Sequence, residues 1–188
     1  MHIRLSDGSS FIAHAEVVLH HGVRADMELS PAEIEEVTKS SQIVFARQSA
    51  LSFLSRSAHT RKSLARKLKS KGFDRDSVER AIARVAELGY LDDRAFAETW
   101  TRARLASRLE GYKALYRGLV QRGVSRDVAD DVLVSLYSDE LELSKARELV
   151  LGLPARKAAS RLTARGFRSR TIARVLRGLG KDPEDAAE

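Results

Sequence analysis

Two rhythms divide the chain. Residues 3 to 13 alternate apolar and polar positions, with Ile3 and Leu5 before Asp7-Gly8 and Phe11 and Ala13 after it. That is the pattern of a short β-hairpin. A lone hairpin is only marginally stable, so this one is expected to lean on helical segments such as the apolar run Val17 to Leu19 before Gly22. Ser30-Pro31-Ala32-Glu33 then combines an N-cap serine, a proline where its missing N–H costs nothing, and a glutamate placed to reach back to the cap. A helix therefore starts at Pro31. Ile34 and Val37 continue its stripe, the polar Lys39 to Gln42 can interrupt it, and apolar residues resume at Ile43, Val44, Ala50, Leu51 and Leu54.

Beyond that point the spacing is helical throughout, and it repeats. Lys67-Leu68-Lys69-Ser70-Lys71-Gly72-Phe73 recurs as Gly118-Leu119-Val120-Gln121-Arg122-Gly123-Val124 and as Arg161-Leu162-Thr163-Ala164-Arg165-Gly166-Phe167. Each copy has a helix with an apolar face (Leu64 and Leu68; Leu115 and Leu119; Ala158 and Leu162), a basic residue, and a glycine where the helix ends in a left-handed conformation. An apolar residue follows to fold back over the turn. A second helix then carries Val78, Ile82 and Val85; Ala129, Leu133 and Leu136; or Ile172, Leu176 and Leu179. One further helical stretch precedes each pair, at about Val44 to Ser57, Asp93 to Ser107 and Asp139 to Leu151.

The expected fold is therefore all-α: three tandem three-helix repeats in an elongated or curved body, with a small hairpin-like extension. The segments are 1 to 43 (extension, hairpin plus helix), 44 to 91, 92 to 137 and 138 to 180 (repeats one to three), and 181 to 188 (acidic tail). Gly72, Gly123 and Gly166 mark the turns inside the repeats, and Gly89, before Tyr90 and Leu91, marks a joint between them.

Charge adds a partner class. The 188 residues carry a net charge of +7. Residues 1 to 45 hold three basic and seven acidic side chains, a balance of −4, so the remainder carries +11. A basic body points to a polyanion, nucleic acid or a nucleoprotein, against the plainer reading of a solvated basic surface. Cysteine is absent, which removes disulfides, thiolate metal sites and a cysteine nucleophile and fits a reducing cytoplasm. Neither a signal-peptide pattern nor a run of about 18 apolar residues occurs, so no membrane role is expected.

No motif supplies catalysis. Asp92-Asp93 invites an acid–base reading, yet Asp92 suits a helix cap and Asp93 a first turn. Phe96 and Trp100 share a helix face, where core packing is a simpler role than base stacking. His2, His14, His20, His21 and His59 show no metal-ligand spacing, and Gly178-Leu179-Gly180-Lys181 lacks both the first glycine and the hydroxyl of a phosphate loop. The expectation is a protein that is not an enzyme and needs no metal or cofactor.

Basic side chains remain. Arg61, Lys62, Arg66, Lys67, Lys69 and Lys71 lie around the first glycine-ended helix, Lys113, Arg117 and Arg122 on the second, and Arg156, Lys157, Arg161 and Arg165 on the third. Arg168, Arg170, Arg174 and Arg177 extend the last set, and no acidic residue occurs between Arg156 and Arg177. Repeats stacked in register would align these charges into a stripe able to track phosphates or meet an acidic protein surface. The alternative is that they are the solvent-facing residues of amphipathic helices.

From Ala50 to Leu179 the chain resembles the RecX regulatory proteins. The resemblance rests on Arg56, Thr60 to Leu68, Lys71-Gly72, Gly89-Tyr90-Leu91-Asp92-Asp93 with Phe96-Ala97, then Arg104, Gly111, Leu115, Leu119 and Arg122-Gly123. It departs from the family pattern at Ser63, where Glu is frequent and the reciprocal cap contact is expected to be lost, and at Arg168, which holds the expected cap position of the third repeat. The resemblance implies a three-repeat helical fold that binds the RecA recombinase filament on single-stranded DNA. It further implies control of filament growth, ATP hydrolysis, strand exchange and co-protease activity, hence of recombination, DNA repair and the SOS response.

A cytoplasmic monomer without a cofactor is the corresponding expectation. The residues expected to contact filament or DNA, duplex DNA included, are Arg61, Lys62, Lys67, Lys71, Arg104, Lys113, Arg117, Arg122, Arg156, Lys157, Arg161, Arg165, Arg168, Arg170 and Arg174. The alternative function is a free-standing DNA-binding protein that uses one glycine-turn helix pair as a helix-turn-helix.

Overall fold

Ile3 and Phe11 face each other across a two-stranded antiparallel sheet, β1 (His2–Arg4) and β2 (Ser10–Ile12), closed by a turn in which Asp7 accepts hydrogen bonds from the backbone and hydroxyl of Ser9. The coordinates are a computed structural model that describes residues 1 to 179; the expected acidic tail at 181 to 188 lies outside the described residues. Ten helices follow the sheet: α1 (Ala15–His20), α2 (Pro31–Leu54), α3 (Arg61–Ser70), α4 (Arg75–Glu87), α5 (Asp93–Ser107), α6 (Tyr112–Arg122), α7 (Arg126–Leu136), α8 (Asp139–Val150), α9 (Ala155–Ala164) and α10 (Ser169–Leu179). They form two compact units that divide between Asp92 and Asp93.

In the first unit α2 is the spine. Its start carries the expected capping box of Ser30 and Glu33. The polar run Lys39 to Gln42 does not interrupt it, because Ser41 is buried and its hydroxyl accepts the His14 N–H at 3.0 Å. Val37 and Val44 pack with Ala13, Val17 and Val18 beneath the hairpin, while Ala46 and Ala50 pack with Leu64, Leu68, Val78, Ala81 and Val85 of α3 and α4. One helix thus serves two cores and shows no single apolar stripe. At the start of α3 the reciprocal cap contact survives without a glutamate: Thr60 accepts the Ser63 N–H at 3.1 Å, and Ser63 Oγ accepts the Thr60 N–H at 3.0 Å.

The second unit holds two three-helix groups. α5, α6 and α7 enclose Ala97, Leu115, Leu119, Val124, Ala129, Leu133 and Tyr137, and α8, α9 and α10 enclose Leu143, Ala146, Val150, Ala158, Leu162, Phe167 and Val175. The same helix stop recurs in all three repeats. Phe73, Val124 and Phe167 donate their N–H to the carbonyls of Leu68, Leu119 and Leu162, five residues back. The intervening Gly72, Gly123 and Gly166 stand at φ +92°, +98° and +76°, and Gly89 at the joint stands at φ +77°. This is the Schellman arrangement, in which a left-handed glycine lets an apolar residue close over the turn.

α10 keeps Ile172 and Leu176 of the expected stripe, half-buried against the third core, but not Leu179. Its buried positions are Thr171 and Val175, whereas Leu179 is 42% exposed. Thr171 turns inward to reach Glu142, a carboxylate on α8 with no solvent exposure. Glu142 Oε1 accepts the N–H of Tyr112 (2.9 Å) and of Arg168 (3.2 Å). Its Oε2 accepts from Arg168 Nε (2.6 Å) and from the Thr171 hydroxyl (2.7 Å).

Tyr112 opens α6 behind Gly111, whose side chain cannot cap, and Arg168 precedes α10 without an acceptor of its own. One buried carboxylate therefore caps two helices in different repeats. Two more donors complete the α6 start: Gly111 N–H to Arg165 O at 3.0 Å and Lys113 N–H to Gly166 O at 2.9 Å. A Cβ on Gly111 would overlap the Phe167 backbone, and one on Gly166 would lie 2.6 Å from Ala114 N, so both glycines are steric requirements of this joint.

Replacing one partner of a buried, hydrogen-bonded charge pair leaves the other unmatched, at a cost of about 3–5 kcal/mol. Glu142→Ala is expected to lower the unfolding free energy of the chain by roughly that amount in a urea titration. A loss below about 1 kcal/mol, the size of an exposed pair, would show that this carboxylate does not hold the joint.

Candidate functional site

The basic residues singled out in the sequence meet different fates, decided by what each helix packs against. In the first unit, Lys67 and Lys71 lie 4.9 and 5.1 Å from the centre of the Phe53 ring, and Lys71 also reaches Ser49. Arg61 and Lys62 are exposed in the first turn of α3. Each remains at the surface, and two of them cover an aromatic ring at the same time.

In the second repeat Arg104 is bound within the fold: its guanidinium forks onto Glu110 at 2.9 and 2.5 Å and lies 5.4 Å from the Trp100 ring. Arg122 lies 4.7 Å from the same ring and donates to the Gly118 carbonyl. Trp100 packs beside the core, as the simpler reading of Phe96 and Trp100 held, and it does so because Gly118 has no side chain. Lys113 reaches Ser169 Oγ at 3.5 Å, and Arg117 donates to the Lys113 carbonyl.

In the third repeat two groups separate. Arg168 pairs with Glu142 and Asp139, and Arg170 pairs with Asp139 at 2.6 Å. Burial works against the Arg168 charge, but the Glu142 hydrogen bond and the Glu142 and Asp139 charges outweigh it and raise its pKa above the ordinary guanidinium value. Arg156, Lys157, Arg161, Arg165 and Arg174 are exposed, with no carboxylate partner among the described residues.

Several concavities shape this unit. One, of about 700 Å³, is lined by Tyr112, Tyr116, Phe167 and Ile172, by the basic Lys113, Arg117 and Arg126 and by the acidic Asp127 and Asp130. The Tyr112 hydroxyl donates to Asp130; burial first, and then that carboxylate, push its pKa well above the usual phenol range. Another, of about 550 Å³, brings Arg161 of α9 and Arg165, which follows α9, together with Arg108, which follows α5. Arg108 and Arg126 were not among the expected contacts; the signal for Arg108 was its place one residue beyond the expected end of the helix at Ser107. Among the described residues no cluster of three or more His, Asp or Glu could hold a metal. No helix among them is long and apolar enough to cross a membrane.

Comparison with known proteins gives a consistent result. The family models described as "RecX, first three-helix domain" and "RecX, second three-helix domain" match residues 46–84 and 92–133. A regulatory protein RecX of Chlorobaculum tepidum is 36% identical over 134 residues, which cover 68% of this chain and 84% of that one. Those of Clostridium perfringens and Listeria monocytogenes are 29% and 25% identical over 74% and 84% of this chain. These matches span 65% and 58% of the relatives' own lengths, less than two thirds. The crystal structure of RecX from Lactobacillus salivarius superposes with a TM-score of 0.69 at 25% identity, covering 74% of this chain and 97% of that one. A second crystal structure, of a regulatory protein RecX, superposes at 0.74 with 22% identity over 91% and 92%, a likeness of fold.

A Cβ on Gly118 would lie 2.5 Å from Trp100 Cη2. Gly118→Ala should displace the indole and shift its fluorescence to longer wavelength, at a cost of about 1–3 kcal/mol from overpacking. An unchanged emission maximum and an unchanged urea midpoint would show that the ring does not depend on the glycine.

Proposed function

The chain belongs to the RecX family, and on that premise we propose that it is a non-catalytic regulator that binds the RecA filament on single-stranded DNA and limits its growth and ATP hydrolysis. Control of strand exchange and of co-protease activity would follow from the same contact. The observation that carries this reading is the third repeat. From Arg156 to Arg177 there is no acidic residue, and Arg156, Lys157, Arg161, Arg165 and Arg174 face solvent with no carboxylate partner among the described residues. Such a surface attracts a polyanion and discriminates little by base, which suits a nucleoprotein whose backbone phosphates and acidic side chains are both accessible.

The mechanism is one of bridging. Cations on one repeat engage DNA or one recombinase subunit, and those on the next engage its neighbour, so the regulator blocks addition or holds subunits away from their active interface. A free-standing helix-turn-helix is less well supported. The second helix of the glycine-turn pair in repeat two, α7, the position of a recognition helix, carries Asp127, Asp130 and Asp131, which a major groove would repel. On α4 the arginines Arg75, Arg80 and Arg84 already pair with Glu79, Asp76 and Glu87.

ATP hydrolysis by the cognate recombinase on single-stranded DNA tests the reading. Substoichiometric protein should suppress turnover, less so at higher salt, and the combined change of Arg156, Arg161 and Arg165 to Ala should raise the concentration required by about tenfold or more. Undiminished hydrolysis together with tight binding to bare duplex DNA would overturn the regulator and support the helix-turn-helix.

A further inference from the structure

We propose that Arg108, Arg161 and Arg165 form a binding site for phosphate groups of a nucleic-acid backbone, in the cleft between the end of α5 and the α8–α9 pair. The inference deepens the regulator reading, on which it rests for its biological setting, and stands on its own geometry. Six residues line this cleft of about 550 Å³: Ser107, Arg108, Leu109, Leu149, Arg161 and Arg165. No carboxylate is among them. Arg161 lies in the last turn of α9 and Arg165, four residues on, is the cap residue that follows it, so the two share a face, and Arg108 follows a different helix, α5.

A plainer role exists for arginine near a helix end, where it complements exposed carbonyls. α5 ends at Ser107 and α9 at Ala164, so all three residues lie at such ends. Several carbonyls at these ends already have donors: the Ser107 hydroxyl serves Ala103 O, the Arg108 N–H serves Arg104 O, and the Gly166 and Phe167 N–H groups serve Thr163 O and Leu162 O. Lys145 Nζ donates to Leu105 O at 2.6 Å, and the N–H groups of Gly111 and Lys113 donate to Arg165 O and Gly166 O. Elsewhere in the same unit arginines do bind carbonyls, as Arg117 and Arg122 show, or carboxylates, as Arg104, Arg168 and Arg170 show. The guanidinium groups of Arg108, Arg161 and Arg165 have neither kind of partner among the described residues. Three like charges gathered around one cleft, without an internal anion, are arranged for an external one.

The chemistry specifies which anion. Each guanidinium presents a planar fork of donors that fits paired phosphate oxygens. The Ser107 hydroxyl already donates to the Ala103 carbonyl, and the remaining lining is leucine, so the cleft has no carboxylate, amide or aromatic side chain with which to recognise a base. A free nucleotide would leave its base unrecognised. A sugar–phosphate backbone would place its phosphates on the arginines and its sugars beside Leu109 and Leu149, with no preference for sequence.

The full chain, without recombinase, is titrated against a fluorescently labelled oligothymidylate over a range of salt concentrations. Arg108→Ala, Arg161→Ala and Arg165→Ala should each make the slope of log affinity against log salt shallower by about 0.7, the value for one phosphate contact on a single strand. Arg108→Lys should keep most of the slope, and Arg24→Ala, an equal loss of charge between α1 and α2, should leave it unchanged. Far-UV circular dichroism and the urea midpoint should not move, because these side chains are exposed. An oligocytidylate should bind equally well, and neither ATP nor pyrophosphate at matched phosphate concentration should displace the strand.

A wild-type slope in Arg108→Ala, or displacement by ATP or pyrophosphate, would overturn the site. If the wild-type chain suppresses recombinase ATP hydrolysis while Arg108→Ala leaves the slope intact, this inference alone fails. A lowered slope without any suppression would uphold the cleft and remove the filament-regulator reading instead.

Discussion

The joint between the second and third repeats depends on the buried carboxylate of Glu142. Helix starts leave N–H groups without intrahelical partners, and a helix start buried in a protein must find acceptors elsewhere. α6 begins behind a glycine and α10 behind an arginine, so neither has a cap of its own. Glu142 serves both, and its charge is matched by Arg168, which also stacks 4.7 Å from the Tyr112 ring. A single ionised group therefore fixes where two helices begin and how their repeats meet. Glycines at positions 111 and 166 let the backbones approach closely enough for α6 to donate directly to the last carbonyls around the α9 turn.

This joint also sorts the cations. Arg168 and Arg170 are held by Asp139 and Glu142, and Arg104 by Glu110, so these side chains build the frame. Lys145 donates to one carbonyl at the end of α5 and the start of α6 donates to two just beyond α9, while the guanidinium groups of Arg108, Arg161 and Arg165 have no carbonyl or carboxylate partner among the described residues. Arg108, Arg161 and Arg165 can then converge on one cleft. The stability of the fold and the placement of its ligand-facing charge follow from the same set of hydrogen bonds.

Much of the fold was legible in the sequence because the repeats obey local rules. The helix–glycine–apolar stop depends on residues within one turn, and Leu64, Leu68, Leu115, Leu119, Ala158 and Leu162, the apolar faces read from spacing, are all fully buried. What spacing could not show were polar residues with long-range partners. Ser41 looked like a break in α2, yet it accepts a hydrogen bond from His14. Glu142 is one of three acids in the first turn of α8 and its spacing does not set it apart, yet it is buried and bound to residues far away in sequence. Arg168 looked like part of a basic stripe, yet its partners are carboxylates of the same chain. Charge composition locates a polyanion surface only broadly, since it cannot distinguish cations that build the joint from those that face a ligand.

Amide hydrogen exchange at Tyr112 and Arg168 tests most directly whether one carboxylate unites the two repeats. In the wild-type chain the two amides should exchange with the same opening free energy, and Glu142→Gln should accelerate both by similar factors, because they share one acceptor. Loss of protection at Arg168 with Tyr112 unaffected, or the reverse, would show that the two helix starts are held independently and would contradict the account.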